Sequence, residues 1–200
     1  MTINKQDISA VILAGGKGSR LGGQDKGLLL YQGKPLVEHI VERIQPQVDN
    51  ILINANRNHD IYRAYGYPVI NDTMQDYQGP LAGFSAAMQA IKTEYMITLP
   101  CDCPLIPNDL VARLIASLEN NPLSIAVAHN GQRLQSVHAL IPVKLQDSLN
   151  QFLATGNRKI ALWYAQHHYI ATDFSDIPQA FTNINTEEQR LNLDSVPILH

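Results

Sequence analysis

Two hundred residues, 45% of them hydrophobic, are enough for one sizeable core, with at most a small appended lobe. A formal net charge of −3 leaves no basic stripe to neutralise a phosphate backbone, which argues against general nucleic-acid binding. The polar start, MTINKQDIS, lacks the apolar segment of a signal peptide, and no apolar run approaches the roughly 18 to 20 residues that span a bilayer; a cytoplasmic protein with no membrane contact is expected.

Ser9 to Ala14 (SAVILA) is nearly continuous in apolar residues, the pattern of a parallel strand covered on both faces. It runs into a loop holding Gly15, Gly16, Gly18, Gly22, Gly23 and Gly27 together with Lys17, Arg20, Asp25 and Lys26. Glycines leave backbone N–H groups unshielded, and with Lys and Arg among them they form a cradle for polyphosphate. The loop is not a P-loop, because no Gly-Lys pair in it precedes Ser or Thr. Nor is it a dinucleotide fingerprint: Leu21 stands where the third glycine belongs, and the second strand has no acidic residue at its end.

Pro35 marks a helix start, and Leu36, Val37, Ile40, Val41 and Ile44 define one helical face before Pro46. Asn50 to Ala55 reads as a second strand, Asn58 to Tyr65 as a short helix, and Pro68 to Ile70 as a brief third strand. Gly79-Pro80 opens a helix through Ile91. Tyr95 to Leu99 is a fourth strand, followed by a helix from Leu110 to Leu118. Leu123 to Ala128 and Gln135 to Ile141 flank an Asn130-Gly131 turn, which signals a hairpin. Val143 to Gln166 reads as helix broken near Gly156, and His168 to Thr172 as a last strand. This alternation predicts a three-layer α/β/α sandwich, Rossmann-like, with a mostly parallel sheet and a small antiparallel hairpin in the second half. A single domain over 1–200 is expected, since neither repeat nor linker interrupts the chain.

Ligands of open α/β sheets sit beyond the carboxyl ends of the strands. That rule gathers the glycine loop with Arg20 and Lys26, then Asn54, then Asp72, then Asp102. Asp102 lies between Pro100 and Pro104, where two fixed φ angles stiffen the backbone. A rigid carboxylate beside a polyphosphate loop is what a Mg²⁺ site requires. The competing role for Asp102, capping the next helix, is already open to Asn108 and Asp109. Cys101 and Cys103 are spaced poorly for a strain-free disulfide and have no partner spacing for zinc, so they read as small packing residues in a reducing compartment.

LAGGKGSRLGGQDKGLL and the following GKPL resemble the signature of the molybdenum cofactor guanylyltransferases, within the wider sugar-nucleotidyltransferase-like group. INANRN (Ile53 to Asn58), IND (Ile70 to Asp72), GPLAG (Gly79 to Gly83), PCDCP and FTNINTEEQ (Phe181 to Gln189) extend the resemblance over nearly the whole chain. It implies transfer of GMP from GTP to the phosphate of molybdopterin. It also implies GTP contacts from Leu13, Ala14, Gly15, Lys26, Asn54 and Asp72, and Mg²⁺ on Asp102. Arg20 and Lys26 would hold phosphates. The nucleotide-binding half would run to about residue 106 and the acceptor half from about 107 to 200. Asn183 and Asn185 follow an apolar strand-like stretch and precede a helix start at Glu187-Glu188. Asn185 is suited to capping that helix or touching the pterin; Asn183 is too far upstream to cap and is assigned to the pterin. Molybdoenzymes or their chaperones would receive the product. The alternatives are a transferase using CTP, and a non-catalytic nucleotide-binding partner of cofactor delivery.

Overall fold

A computed structural model describes residues 3–16, 24–74, 79–118 and 121–184. Among the described residues nine strands form, in chain order: β1 (Ile8–Leu13), β2 (Leu30–Tyr31), β3 (Lys34–Pro35), β4 (Asn50–Asn54), β5 (Val69–Ile70), β6 (Tyr95–Pro100), β7 (Ile125–His129), β8 (Leu134–Pro142) and β9 (Tyr169–Asp173). The helices are α1 (Leu36–Ile44), α2 (His59–Arg63), α3 (Pro80–Ala90), α4 (Leu110–Ser117), α5 (Gln146–Ala154) and α6 (Ile160–Tyr164). Seven strands make one sheet in the order β5-β4-β1-β6-β8-β7-β9. β8 alone runs against the rest, pairing antiparallel with β6 and β7, while β4, β5, β6 and β9 join parallel neighbours.

Strand alternation builds the layers. Ile8, Ala10 and Ile12 of β1 pack with α1 and α4, through Val37, Ile40, Ile44, Leu110 and Leu114. Val11 points the other way, into Leu81, Phe84 and Met88 of α3 and Leu149 and Phe152 of α5. With both faces covered, the strand reads as a continuous apolar run, and the α/β/α sandwich follows. The Asn130-Gly131 hairpin forms between β7 and β8, with Gly131 at φ +87°. No helix among the described residues is long and apolar enough to cross a membrane.

Two features depart from the expected elements. β2 and β3 form a separate two-stranded ribbon turned by Gln32 and Gly33, at φ +49° and +79°; this left-handed pair is the geometry of a tight hairpin turn. The apolar stretch before Asn183 is not strand-like: Pro178–Phe181 is a 3₁₀ turn, because Pro178 withholds a ladder donor and starts a helical turn instead. The expected helix start at Glu187 lies outside the described residues.

β8 breaks register between its pairings with Val127 and His129. The carbonyls freed there are taken by side chains: the Tyr164 hydroxyl donates to Ser136 O at 2.8 Å and the Thr98 hydroxyl to Val137 O at 2.7 Å. His138 follows, buried edge-to-face against Phe181 with ring centroids 5.0 Å apart. Its Nε2 has no partner among the described residues, and burial takes its pKa down to about 3. The unfolded chain protonates this ring near pH 6.5, so between about pH 6.5 and 3 the unfolded state holds the extra proton. Stability is therefore lost as pH falls, by about 1.4 kcal/mol per pH unit from this group. Urea midpoints at pH 7 and pH 5 are expected to show His138→Phe losing about 2 kcal/mol less than the natural chain over that interval. Equal losses would mean that His138 is not held neutral by burial.

Candidate active site

The carboxyl ends of β1, β4, β5 and β6 converge at one end of the sheet, and the expected residues fall into two adjoining clusters there. In the first, Ala14 N donates to Asn54 O at 2.8 Å, carrying the β1–β4 ladder one residue past Leu13. Asn54 Nδ2 donates to Asp72 Oδ1 at 3.1 Å. Asn56 Nδ2 donates to Asp72 Oδ2 at 2.8 Å and to Gly15 O at 3.2 Å. Leu13, Ala14, Gly15, Asn54 and Asp72 thus belong to one connected group.

Glycine is required at two points of this group. A Cβ on Gly15 would lie 2.8 Å from Asn56 Nδ2 and 3.3 Å from Asn54 Oδ1. One on Gly83, in the first turn of α3, would lie 2.7 Å from Asn54 Oδ1 and 2.8 Å from Leu13 Cδ2. At each of the three distances below 3 Å the neighbouring side chain would have to shift. What a side chain on Gly15 would displace first is the pair of asparagine amides behind the loop.

The second cluster is built on Asp102, which is 7% exposed. Lys26 Nζ is 3.1 Å from its Oδ2, and Asn183 Nδ2 donates to its Oδ1 at 3.3 Å. Ile184 N donates to the Asp102 carbonyl at 2.8 Å, and Ile184 buries against Tyr31 and Leu36. Asn183 is therefore brought to the carboxylate itself. The clusters meet through the backbone, where Cys101 N donates to Leu13 O at 3.1 Å. Arg20 and Asn185 lie outside the described residues.

Lys26 is held in place by Asp25, a buried acid 8% exposed. Its carboxylate accepts from Gly27 N at 3.2 Å, the Tyr62 hydroxyl at 2.7 Å and Asn58 Nδ2 at 3.0 Å, with Arg57 Nε 3.6 Å away. Burial, the nearby Cys101 thiol and the Asp25 carboxylate raise the Tyr62 pKa well above that of an ordinary phenol, so the hydroxyl remains a donor. These contacts bolt the end of the glycine loop to α2. Cys101 and Cys103 are buried and free; burial, reinforced by the Asp102 charge, pushes both thiols up, so both stay neutral.

Sequence reasoning missed Asn56, the Asp25 anchor and the Gly83 contact. Asn56 had a signal: it follows Asn54 by two residues, so both continue the same side of the β4 strand. The Asp25 partners lie 33 and 37 residues away and had none.

The donor chemistry suits a hard cation completed by phosphate oxygens and water. Asp102 offers two carboxylate oxygens, and among the described residues no group of three or more His, Cys, Asp or Glu side chains is gathered for a metal. A closed, all-protein metal cage is not what this site resembles.

The MobA-like NTP transferase domain family matches residues 10–170. A molybdenum cofactor guanylyltransferase of Shewanella halifaxensis is 51% identical over 186 residues, 93% of each chain. One from Shewanella pealeana is 50% identical over the same length and shares. Solved structures include molybdopterin-guanine dinucleotide biosynthesis protein A of Archaeoglobus fulgidus, with TM-score 0.77 at 19% identity over 92% of this chain and 95% of that one. A 4-diphosphocytidyl-2C-methyl-D-erythritol synthase of Anaerococcus prevotii reaches 0.74 at 13% identity over 96% of both chains. At those identities the structures establish the fold, and the match over residues 10–170 together with half-identical relatives establishes the family. The chain belongs to the MobA-like NTP transferases, as a member of the molybdenum cofactor guanylyltransferases.

Proposed function

We propose that the protein transfers GMP from GTP to the terminal phosphate of molybdopterin, releasing pyrophosphate and forming molybdopterin guanine dinucleotide. The observation that carries this reading is the Lys26–Asp102 pair, 3.1 Å apart, at the strand ends beside the glycine loop of a guanylyltransferase relative.

A phosphate oxygen of molybdopterin attacks the α-phosphorus of GTP, and the bond from that phosphorus to the bridging oxygen of pyrophosphate breaks. The acceptor is already a competent nucleophile, so catalysis reduces to alignment and charge neutralisation. Lys26 exchanges Asp102 for nucleotide phosphate, acting as a point charge; Arg20, in the same loop, supplies a bidentate partner. Asp102, released from Lys26, would hold Mg²⁺, which when bound offsets the charge gathering on pyrophosphate. Leu13, Ala14, Gly15, Asn54 and Asp72 face the nucleoside. Asn183, already on Asp102, stands where the acceptor phosphate arrives, and Asn185 is assigned to the same pterin.

The nucleotide half then ends at about residue 106 and the acceptor half runs from about 107 to 200, the two sharing one sheet through β6 and β8, as a single domain would. Two neutral buried thiols suit a reducing cytoplasm. Molybdoenzymes or their chaperones are the natural recipients of the product.

This reading requires Lys26 to meet phosphate and not base. Calorimetry on Lys26→Ala is expected to show GTP binding weakened by about 1.5–3 kcal/mol, the scale of a lost charge-assisted contact, with guanosine binding unchanged. An equal loss for guanosine would move Lys26 off the phosphates.

A further inference from the structure

We infer that Asn56 is the positioning residue that sets base selectivity, by fixing the Asp72 carboxylate so that it accepts the paired donors of guanine. This rests on the reading above that Gly15 and Asp72 line the nucleoside pocket.

The side chain of Asn56 is fully committed. Its two amide protons go to Gly15 O at 3.2 Å and Asp72 Oδ2 at 2.8 Å, and its Oδ1 accepts from Asp72 N at 2.9 Å. One residue therefore ties together the β1 loop, the end of β4 and the segment after β5. Those three bonds hold it close behind the loop, so close that a Cβ on Gly15 would lie 2.8 Å from its Nδ2.

The result at Asp72 is specific. Among the described residues, Oδ1 accepts from Asn54 and Oδ2 from Asn56, one N–H to each oxygen. A carboxylate oxygen accepts about two hydrogen bonds, so each oxygen keeps one acceptor site, and the two asparagines fix the plane in which those sites lie. Two adjacent acceptors on one carboxylate match two parallel N–H donors. Guanine presents such a pair at N1–H and the 2-amino group. Hypoxanthine keeps N1–H but lacks the amine, and adenine and cytosine present an acceptor where guanine has N1–H. Without Asn56 the carboxylate loses its second tether and can rotate, so the two-point match fails while triphosphate contacts at Lys26 remain.

The test compares GTP with inosine triphosphate, by competition binding, in the natural chain and in Asn56→Ala and Asn56→Asp. The second variant keeps an acceptor for Asp72 N and removes both donors at nearly constant shape. The natural chain is expected to favour GTP by at least about tenfold, the scale of one hydrogen bond lost to a charged group. Both variants should bring that ratio close to one while changing inosine triphosphate affinity far less. A purely structural Asn56 would weaken both nucleotides together, and a GTP preference retained in either folded variant overturns the inference. Asp72→Asn separates the two levels: an unchanged ratio there overturns the placement of guanine on Asp72 itself, whereas a collapsed ratio there with an intact one in the Asn56 variants overturns only the role of Asn56.

Discussion

Replacement of Asp102 by Asn is expected to abolish Mg²⁺-dependent transfer, with a loss of at least about two orders of magnitude in pyrophosphate release, the scale for removing one key electrostatic stabiliser. The change conserves shape, and the residue sits just past the end of β6, outside the packed layers, so the fold should survive. The loss has two parts. A neutral amide cannot hold a divalent cation as a carboxylate does, and its –NH₂ would face either Lys26 or Asn183, both of which donate to Asp102. Thermal melting and circular dichroism of the variant should match the natural protein while turnover disappears. Near-normal pyrophosphate release would remove Asp102 from the reaction.

A loss of similar size is expected at Gly15. Gly15→Leu places a branched chain where even a Cβ would lie 2.8 Å from Asn56 Nδ2 and 3.3 Å from Asn54 Oδ1. Both amides must move, and both hold Asp72, so the proposed nucleoside pocket is rebuilt around an apolar side chain. Calorimetry should find a folded protein with no measurable GTP binding. Gly131→Leu makes the contrast: there φ is +87° and a Cβ would lie 2.9 Å from Ser175 Cβ, so stability falls through strain at the β7–β8 turn while GTP binding persists. GTP affinity retained in Gly15→Leu would reduce the glycine loop to a connection.

The two variants probe parts of the site that differed in how plainly the sequence carried them. Strand ends were legible because β1, β4 and β6 are apolar runs closed by polar residues, and in a parallel sheet those closures share one edge. Asn54, Asp72 and Asp102 were placed at that edge in this way, and Lys26 through the glycine loop. Asp102 was expected to be stiffened by flanking prolines; its observed restraints are Lys26, Asn183 and the Ile184 N–H. Contacts that bridge 76 and 81 residues leave no trace in local pattern. The β2–β3 ribbon escaped notice because each strand has two residues and its turn is Gln-Gly instead of the stronger Asn-Gly. Asp25 looked like one more charge in a phosphate loop, yet four side chains or amides from Gly27, Arg57, Asn58 and Tyr62 converge on it. A buried acid reveals its role only when its partners fold onto it.

Guanylyl transfer to a pterin phosphate is read out as pyrophosphate release. The protein would be incubated with Mg²⁺, molybdopterin and one of GTP, ATP, CTP or UTP, with matched controls lacking molybdopterin. Release is expected with GTP and with no other triphosphate, and only when molybdopterin is present. Release driven by CTP, or none with GTP in a folded protein, would rule out guanylyl transfer.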